Sequence, residues 1–304
     1  MFNGDRQGAP TTSMELPLSV VRPVERFTRA VLEDPVEMLI ELRERVAERG
    51  ENRAKREYGD GFMPWPSCPY QEDPSWESDL HALIDQPWPC PEATRFTALW
   101  AKMIEQFASV GTALGRGAFG GWGDGEPGFV RSLWCITRHL RPAKVLETGV
   151  ARGITSRFIL EALDSNGSGH LWSIDRPPPG RNELREEIGT AVPDALRSRW
   201  SYVKGSSRRR LPALVTELRE IDLFVHDSRH SERNLLYELE QARVAVRPGG
   251  ILAADDVDLN CGLHRYLRTH PDDRALVCPA EPLRPDPGRQ NDRGVFALVV
   301  RSGS

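Results

Sequence analysis

The chain has 304 residues, a formal net charge of −4 and 39% hydrophobic residues, room for one large domain plus an extension. The acidic balance argues against a broad phosphate-binding surface, so no nucleic-acid partner is expected. No run reaches the roughly 18 apolar residues of a membrane helix, so no membrane partner is expected either.

Met1–Pro10 lacks the basic and apolar pattern of a signal peptide. The five cysteines, Cys68, Cys90, Cys135, Cys261 and Cys278, are odd in number, scattered and without a CxxC pair. Neither a disulfide framework nor a zinc site is suggested, and a cytoplasmic location is expected. Residues 1–20 are polar and aperiodic and predict disorder.

Residues 21–128 predict a helical and irregular N-terminal extension. A helix is expected over 35–57, capped by Asp34 with Pro35 at its first position and Glu37 behind it. Val36, Leu39, Ile40, Val46 and Ala47 give that helix one apolar stripe. Residues 58–92, rich in Pro and Trp, predict an irregular ordered segment. A second helix is expected over 93–109, where Phe96, Leu99, Trp100, Met103, Ile104 and Phe107 share a packing face. Residues 111–128 are glycine-rich but match no phosphate-loop spacing. With Phe119 and Trp122 among the glycines, they predict a lid or a connector.

From 129 to 304 strands and helices alternate. Strands are expected at Lys144–Thr148, His170–Asp175, Trp200–Lys204, Ile221–His226 and Ile251–Asp255, with weaker ones at 274–278 and 295–300. The intervening helices are expected at 153–164, 182–198, 208–220 and 231–246. Repeated βα units predict an α/β fold, a doubly wound, mainly parallel seven-stranded sheet. Ligands of such sheets sit beyond the carboxyl ends of the strands.

The first of those ends is Glu147-Thr148-Gly149-Val150-Ala151-Arg152-Gly153. Gly149 permits a sharp turn, Gly153 a close approach, and the helix start behind them favours a carboxylate, while Glu147 favours an ammonium group. Asp175, 28 positions after Glu147, is placed to accept the hydroxyls of a ribose, and Gly205-Ser206-Ser207 can border an adenine. A nucleoside carrying a zwitterion satisfies all three ends, and S-adenosylmethionine is such a molecule. Glu147-x-Gly149-x-x-x-Gly153 resembles the first motif of class I methyltransferases, with Ala151 where a middle glycine is common. The resemblance implies a cofactor site of Glu147, Thr148, Gly149, Gly153, Asp175, Ser206 and Asp227.

The fourth strand runs into Asp227-Ser228-Arg229-His230 and the fifth into Asp255-Asp256. Neighbouring carboxylates repel unless a proton or cation lies between them, and oxygen ligands suit Mg²⁺. An imidazole three residues after Asp227 is placed to take a proton from a substrate hydroxyl. This arrangement resembles the metal-dependent O-methyltransferases of macrolide and sugar tailoring, and cephalosporin hydroxylase-like proteins. The resemblance spans about 140–260. It implies Asp227, Asp255 and Asp256 as ligands of Mg²⁺ or another divalent cation, and His230 as general base beside Asp227. A small-molecule hydroxyl is the implied acceptor; the oligomeric state is open, a homo-oligomer included. The competing readings are a metal-free methyltransferase acting on nitrogen, carbon or carboxylate, a nicotinamide-dependent oxidoreductase, and a non-catalytic nucleoside-binding protein. His226 reads as a core histidine, His264 and Tyr266 as substrate contacts, and Arg208–Arg210 as a solvated helix face.

Overall fold

A computed structural model describes residues 27–49, 70–115, 117–176, 181–281 and 294–303. The segment 1–20 and much of the Pro- and Trp-rich stretch lie outside the described residues. Seven strands form one sheet: β1 Lys144–Thr148, β2 His170–Asp175, β3 Trp200–Lys204, β4 Ile221–His226, β5 Val246–Ala254, β6 Arg274–Pro279 and β7 Val295–Val300. Their order is β3-β2-β1-β4-β5-β7-β6, with β1 to β5 parallel and β7 antiparallel to both neighbours. Strand order reverses between β1 and β4, which opens the crevice characteristic of doubly wound sheets.

Among the described residues, helices labelled in chain order include α1 Pro35–Ala47, α2 Trp76–Leu83, α3 Ala93–Ser109, α4 Pro127–Leu140, α5 Ile154–Asn166, α6 Asn182–Glu187, α7 Ser207–Leu218, α8 Glu232–Arg243 and α9 Gly262–Thr269. The central strands are apolar on both faces because helices cover both. Val145, Leu223 and Val225 point into one core with Leu133, Ile136 and Ile159, whereas Leu146 and Phe224 point into the other with Leu235 and Leu239. The period of two along each strand sorts its residues between the layers.

Several expectations change in detail. Trp76–Leu83 is a helix inside the stretch expected to be irregular. The helix expected over 182–198 is two short pieces, α6 and a 3₁₀ segment at Asp194–Arg199. β5 starts at Val246, so Arg247-Pro248-Gly249-Gly250 belongs to the strand, with a register shift between Ile221 and Leu223 on its partner.

The largest departure is α1. Its start is as expected, with Asp34 Oδ1 accepting from Glu37 N at 3.1 Å. Its orientation is the reverse: Leu39 is 68% exposed, and Val36 and Val46 also face solvent. The buried face carries Glu37, Glu41, Glu44 and Glu48. Together with Asp34 they meet five arginines at the carboxyl edge of the sheet and its following helices. Arg176 and Arg229 reach Glu41 at 3.2 and 2.6 Å, Arg208 and Arg233 reach Glu44 at 3.3 and 3.2 Å, and Arg209 reaches Asp34 at 3.1 Å. Arg208 and Arg209 are therefore paired with α1 rather than merely solvated. Leaving such charges half-buried and unpaired costs more than exposing a few aliphatic side chains.

Candidate active site

β1 ends at the glycine loop, and the loop is built by what it cannot contain. Gly149 has φ 87°, and a Cβ there would overlap the backbone carbonyl of Asp227. The Asp227 N–H donates to Thr148 O at 2.8 Å, so the ends of β1 and β4 are locked together. Gly153 has φ 82° as the residue before α5, and Ala151 takes φ 48° without being glycine. Asp175 accepts from the N–H groups of Val150 and Ala151 at 3.2 and 3.0 Å, so the carboxylate expected at a ribose also shapes the loop.

Glu147 is fully buried. Its Oε2 accepts from Ser156 Oγ and Ser173 Oγ at 2.6 Å each, while Oε1 has no partner. Burial pushes its carboxyl up to about 7, the two serine hydroxyls opposing. Ser206 Oγ is likewise buried without a partner, while its N–H donates to Glu37 Oε1 of α1 at 2.9 Å. Two orphaned polar atoms at the ends of β1 and β3, with the glycine cradle between them, fit a ligand that brings both donors and acceptors. Thr148 turns the other way, its Oγ1 donating to Glu238 Oε2 at 2.5 Å.

The energetic state of Glu147 has a direct consequence. An acid whose pKa is raised by folding is fully compatible with the fold below its unfolded value near 4.5, and it costs stability as pH rises toward 7. Glu147→Gln should therefore stabilise the protein at pH 8 by about 1–3 kcal/mol and far less at pH 5. Thermal melts at both pH values check it; a variant less stable at pH 8 would sink the assignment.

The Gly-rich segment rests on this loop. Arg152 Nη1 donates to Ala113 O at 2.8 Å and Asp124 Oδ2 at 2.9 Å, and Nη2 donates to Ala118 O at 2.7 Å. Phe119 is buried and Trp122 half-exposed, joined by mutual backbone hydrogen bonds. One arginine of the glycine loop thus ties down a strap that sequence reading left between lid and connector.

Beyond β4 and β5, Asp227, His230, Asp255 and Asp256 lie at adjacent strand ends. His230 Nε2 is 3.7 Å from Asp256 Oδ2, and its Nδ1 is buried without a partner. Burial pushes the imidazole below its ordinary value, with Asp256 opposing and the neighbouring His226, 5.6 Å away ring to ring, adding to the shift. Burial, then Glu147 and Asp256, drive the Asp227 carboxyl well up; burial, then Asp256 and Asp227, do the same to Asp255.

Residues 146–257 match the sequence profile of a family described as a methyltransferase domain. Residues 146–257, which hold the glycine loop and the ends of β1 to β5, thus resemble a methyltransferase domain. Among solved structures, an O-methyltransferase of Bacillus cereus in complex with SAH is 15% identical, with TM-score 0.49, covering 75% of this chain and 99% of that one. The O-methyltransferase TomG of Streptomyces achromogenes, involved in tomaymycin synthesis and solved with SAM, is 16% identical, with TM-score 0.47, covering 76% and 97%. No curated protein matches the chain.

Asp227, Asp255 and Asp256 do not form a tight ligand set. Among the described residues, the set of metal-competent side chains whose ligand atoms lie within 4.8 Å of one another is elsewhere in the fold, and Asp227, Asp255 and Asp256 do not form one. Asp227, Asp255 and Asp256 are oxygen donors of the kind Mg²⁺ takes, and their charges act on one another across the ends of β4 and β5.

Beneath the pocket lies a residue that sequence reading missed. Glu238 of α8 is fully buried and accepts from His226 Nδ1 at 2.6 Å, Ser228 Oγ at 2.9 Å and Asn234 Nδ2 at 2.9 Å. Burial would raise its carboxyl, but the His226 charge and the hydrogen bonds of His226, Ser207 and Thr148 hold it at about 2. A carboxylate three residues after Leu235 and one before Leu239, inside an apolar stripe, was the available signal. His226 is a core histidine as expected, whereas Tyr266 is buried and donates to Asp273 Oδ2 at 2.8 Å rather than facing the site.

Proposed function

We propose that the methyltransferase alkylates a hydroxyl oxygen of a small-molecule acceptor, with His230 taking the hydroxyl proton. The observation that carries this reading is an imidazole at the carboxyl edge of β4, its Nδ1 without a partner and its Nε2 3.7 Å from Asp256 Oδ2, with burial lowering its pKa. A neutral imidazole accepts a proton; its conjugate acid cannot. Asp256, 3.7 Å from Nε2, is placed to stabilise the imidazolium that forms.

S-adenosylmethionine supplies an electrophilic methyl on sulfur when bound. Glu147 and Ser206 offer unpartnered polar atoms to its amino acid and nucleoside parts, Gly149 and Gly153 let the backbone approach, and Asp175, at the end of β2, would accept from the ribose hydroxyls. The 111–126 strap, held by Arg152, lies against the glycine loop and is suited to excluding water from it. Alignment of acceptor and methyl then supplies much of the acceleration, because the donor is already activated.

Calorimetry should detect S-adenosylmethionine binding and no NAD binding. A labelled-methyl screen over sugar, phenol and polyketide hydroxyls should yield base-stable ether products. Comparing rates with and without added magnesium tests whether Asp227, Asp255 and Asp256 hold an ion during turnover. Products methylated only on nitrogen or carboxylate would overturn the reading, and strict dependence on magnesium would restore the three aspartates as ligands.

A further inference from the structure

On the N-terminal side of β1, four side chains from three segments converge. His81 lies on α2, Cys90 in the connection to α3, and Cys135 and His139 one helical turn apart on α4. Their ligand atoms all lie within 4.8 Å of one another. His81 Nε2 is 3.1 Å from Cys135 Sγ, and His139 Nε2 is 3.6 Å from Cys90 Sγ. The chain offers no CxxC pair, so this set is invisible to spacing rules; Cys90 and Cys135 stand 45 positions apart and are free thiols, while Cys261 is disulfide-bonded.

We propose that His81, Cys90, Cys135 and His139 form a tetrahedral Cys₂His₂ site for a zinc ion that fastens the N-terminal extension to the methyltransferase domain. With Zn–S near 2.3 Å and Zn–N near 2.0–2.1 Å, tetrahedral geometry requires sulfur–nitrogen edges of roughly 3.5 Å. The two observed edges bracket that value. Two thiolates neutralise one divalent ion, so the complex carries no net charge into a place where His81 is 1% and Cys135 5% exposed. Without an ion, His81 has Cys135 as its polar contact at Nε2 and none at Nδ1. A cavity of about 290 Å³, walled by Trp76, Trp88 and Trp134, reaches His81, Cys90 and Cys135 and gives an ion a route in. All four residues provide ligand types that favour zinc over the oxygen-seeking Mg²⁺, and four protein ligands leave no open position, which marks a structural site.

The surroundings show what such an ion would hold. Trp76 of α2 meets Phe296 of β7 edge to face at 5.2 Å, so α2 already rests on the sheet. Arg131 of α4 bonds Glu77 of α2, and Arg138 of α4 bonds Glu92, before α3, at 2.9 Å. The cluster lies between these two ion pairs and ties the same elements. Binding releases the two thiol protons and involves no redox step.

Metal analysis of full-length protein, purified with reductant and without chelator, tests the site. One zinc per chain is expected. Cys90→Ser, which alters a partly exposed ligand, should lower the content about tenfold or more, whereas Asp255→Asn should retain it. Cobalt reconstitution of the unaltered protein should give the intense tetrahedral and thiolate-to-metal bands of an S₂N₂ site, a readout that does not depend on any variant folding. Stripping the ion should lower the melting temperature by several degrees. Absence of zinc after reconstitution, full zinc in Cys90→Ser, its loss in Asp255→Asn, or a Cys90–Cys135 disulfide in protein kept reduced would each overturn the proposal.

Discussion

Replacement of His230 by alanine should lower kcat by about 100- to 10,000-fold while leaving the dissociation constant for S-adenosylmethionine within a few-fold of its original value. The split follows from position. His230 follows β4 and approaches Asp256, whereas the glycine loop, Glu147 and Ser206 belong to β1 and β3. The pH dependence has a definite sign. A general base works when deprotonated, and burial keeps the imidazole deprotonated to lower pH than its ordinary value of about 6.5. The acid limb of the rate profile should therefore fall below that value. Asp256→Asn removes the carboxylate that opposes the shift and should move the limb further down. Unchanged turnover in His230→Ala, or an acid limb above the ordinary range, would remove His230 from the reaction.

Gly149→Ala should destabilise the protein by more than about 4 kcal/mol or prevent its folding. Two costs combine: φ of 87° is a region that β-carbons penalise, and the new methyl would occupy the space of the Asp227 carbonyl. That carbonyl cannot retreat cheaply, because the Asp227 N–H is bonded to Thr148 O and the loop behind it carries His230. Gly117→Ala is the control. It shares a positive φ of 74° but has open space around the added carbon, and should cost about 1 kcal/mol. Urea or thermal unfolding of the two variants separates them; similar stabilities would mean that the β1–β4 junction is softer than its hydrogen bonding suggests.

The strands and their carboxyl ends were legible because each is a short apolar run stopped by a glycine or an acid. Lys144–Thr148, His170–Asp175, Trp200–Lys204 and Ile221–His226 have the bounds that their composition implies. A strand covered on both faces must be apolar throughout, and the chain must leave it through polar residues, so one-dimensional order carries the information. Glu147, Asp175 and His230 could be placed at strand ends for that reason. Glu238 could not, since its role depends on His226 and Thr148 reaching it through the core from other elements.

The sequence by itself determined the parallel sheet, the order of its units and the identity of the groups at its carboxyl edge, because local periodicity and turn chemistry decide those. Only the tertiary structure decided which stripe of α1 faces inward. The spacing of Glu37, Glu41, Glu44 and Glu48 competes with the aliphatic stripe, and the arginines that settle the contest lie 135 to 189 positions beyond their partners. Only the tertiary structure, likewise, gathered two cysteines and two histidines that share no motif. Distances between side chains on different elements are set by packing, and packing has no period along the chain.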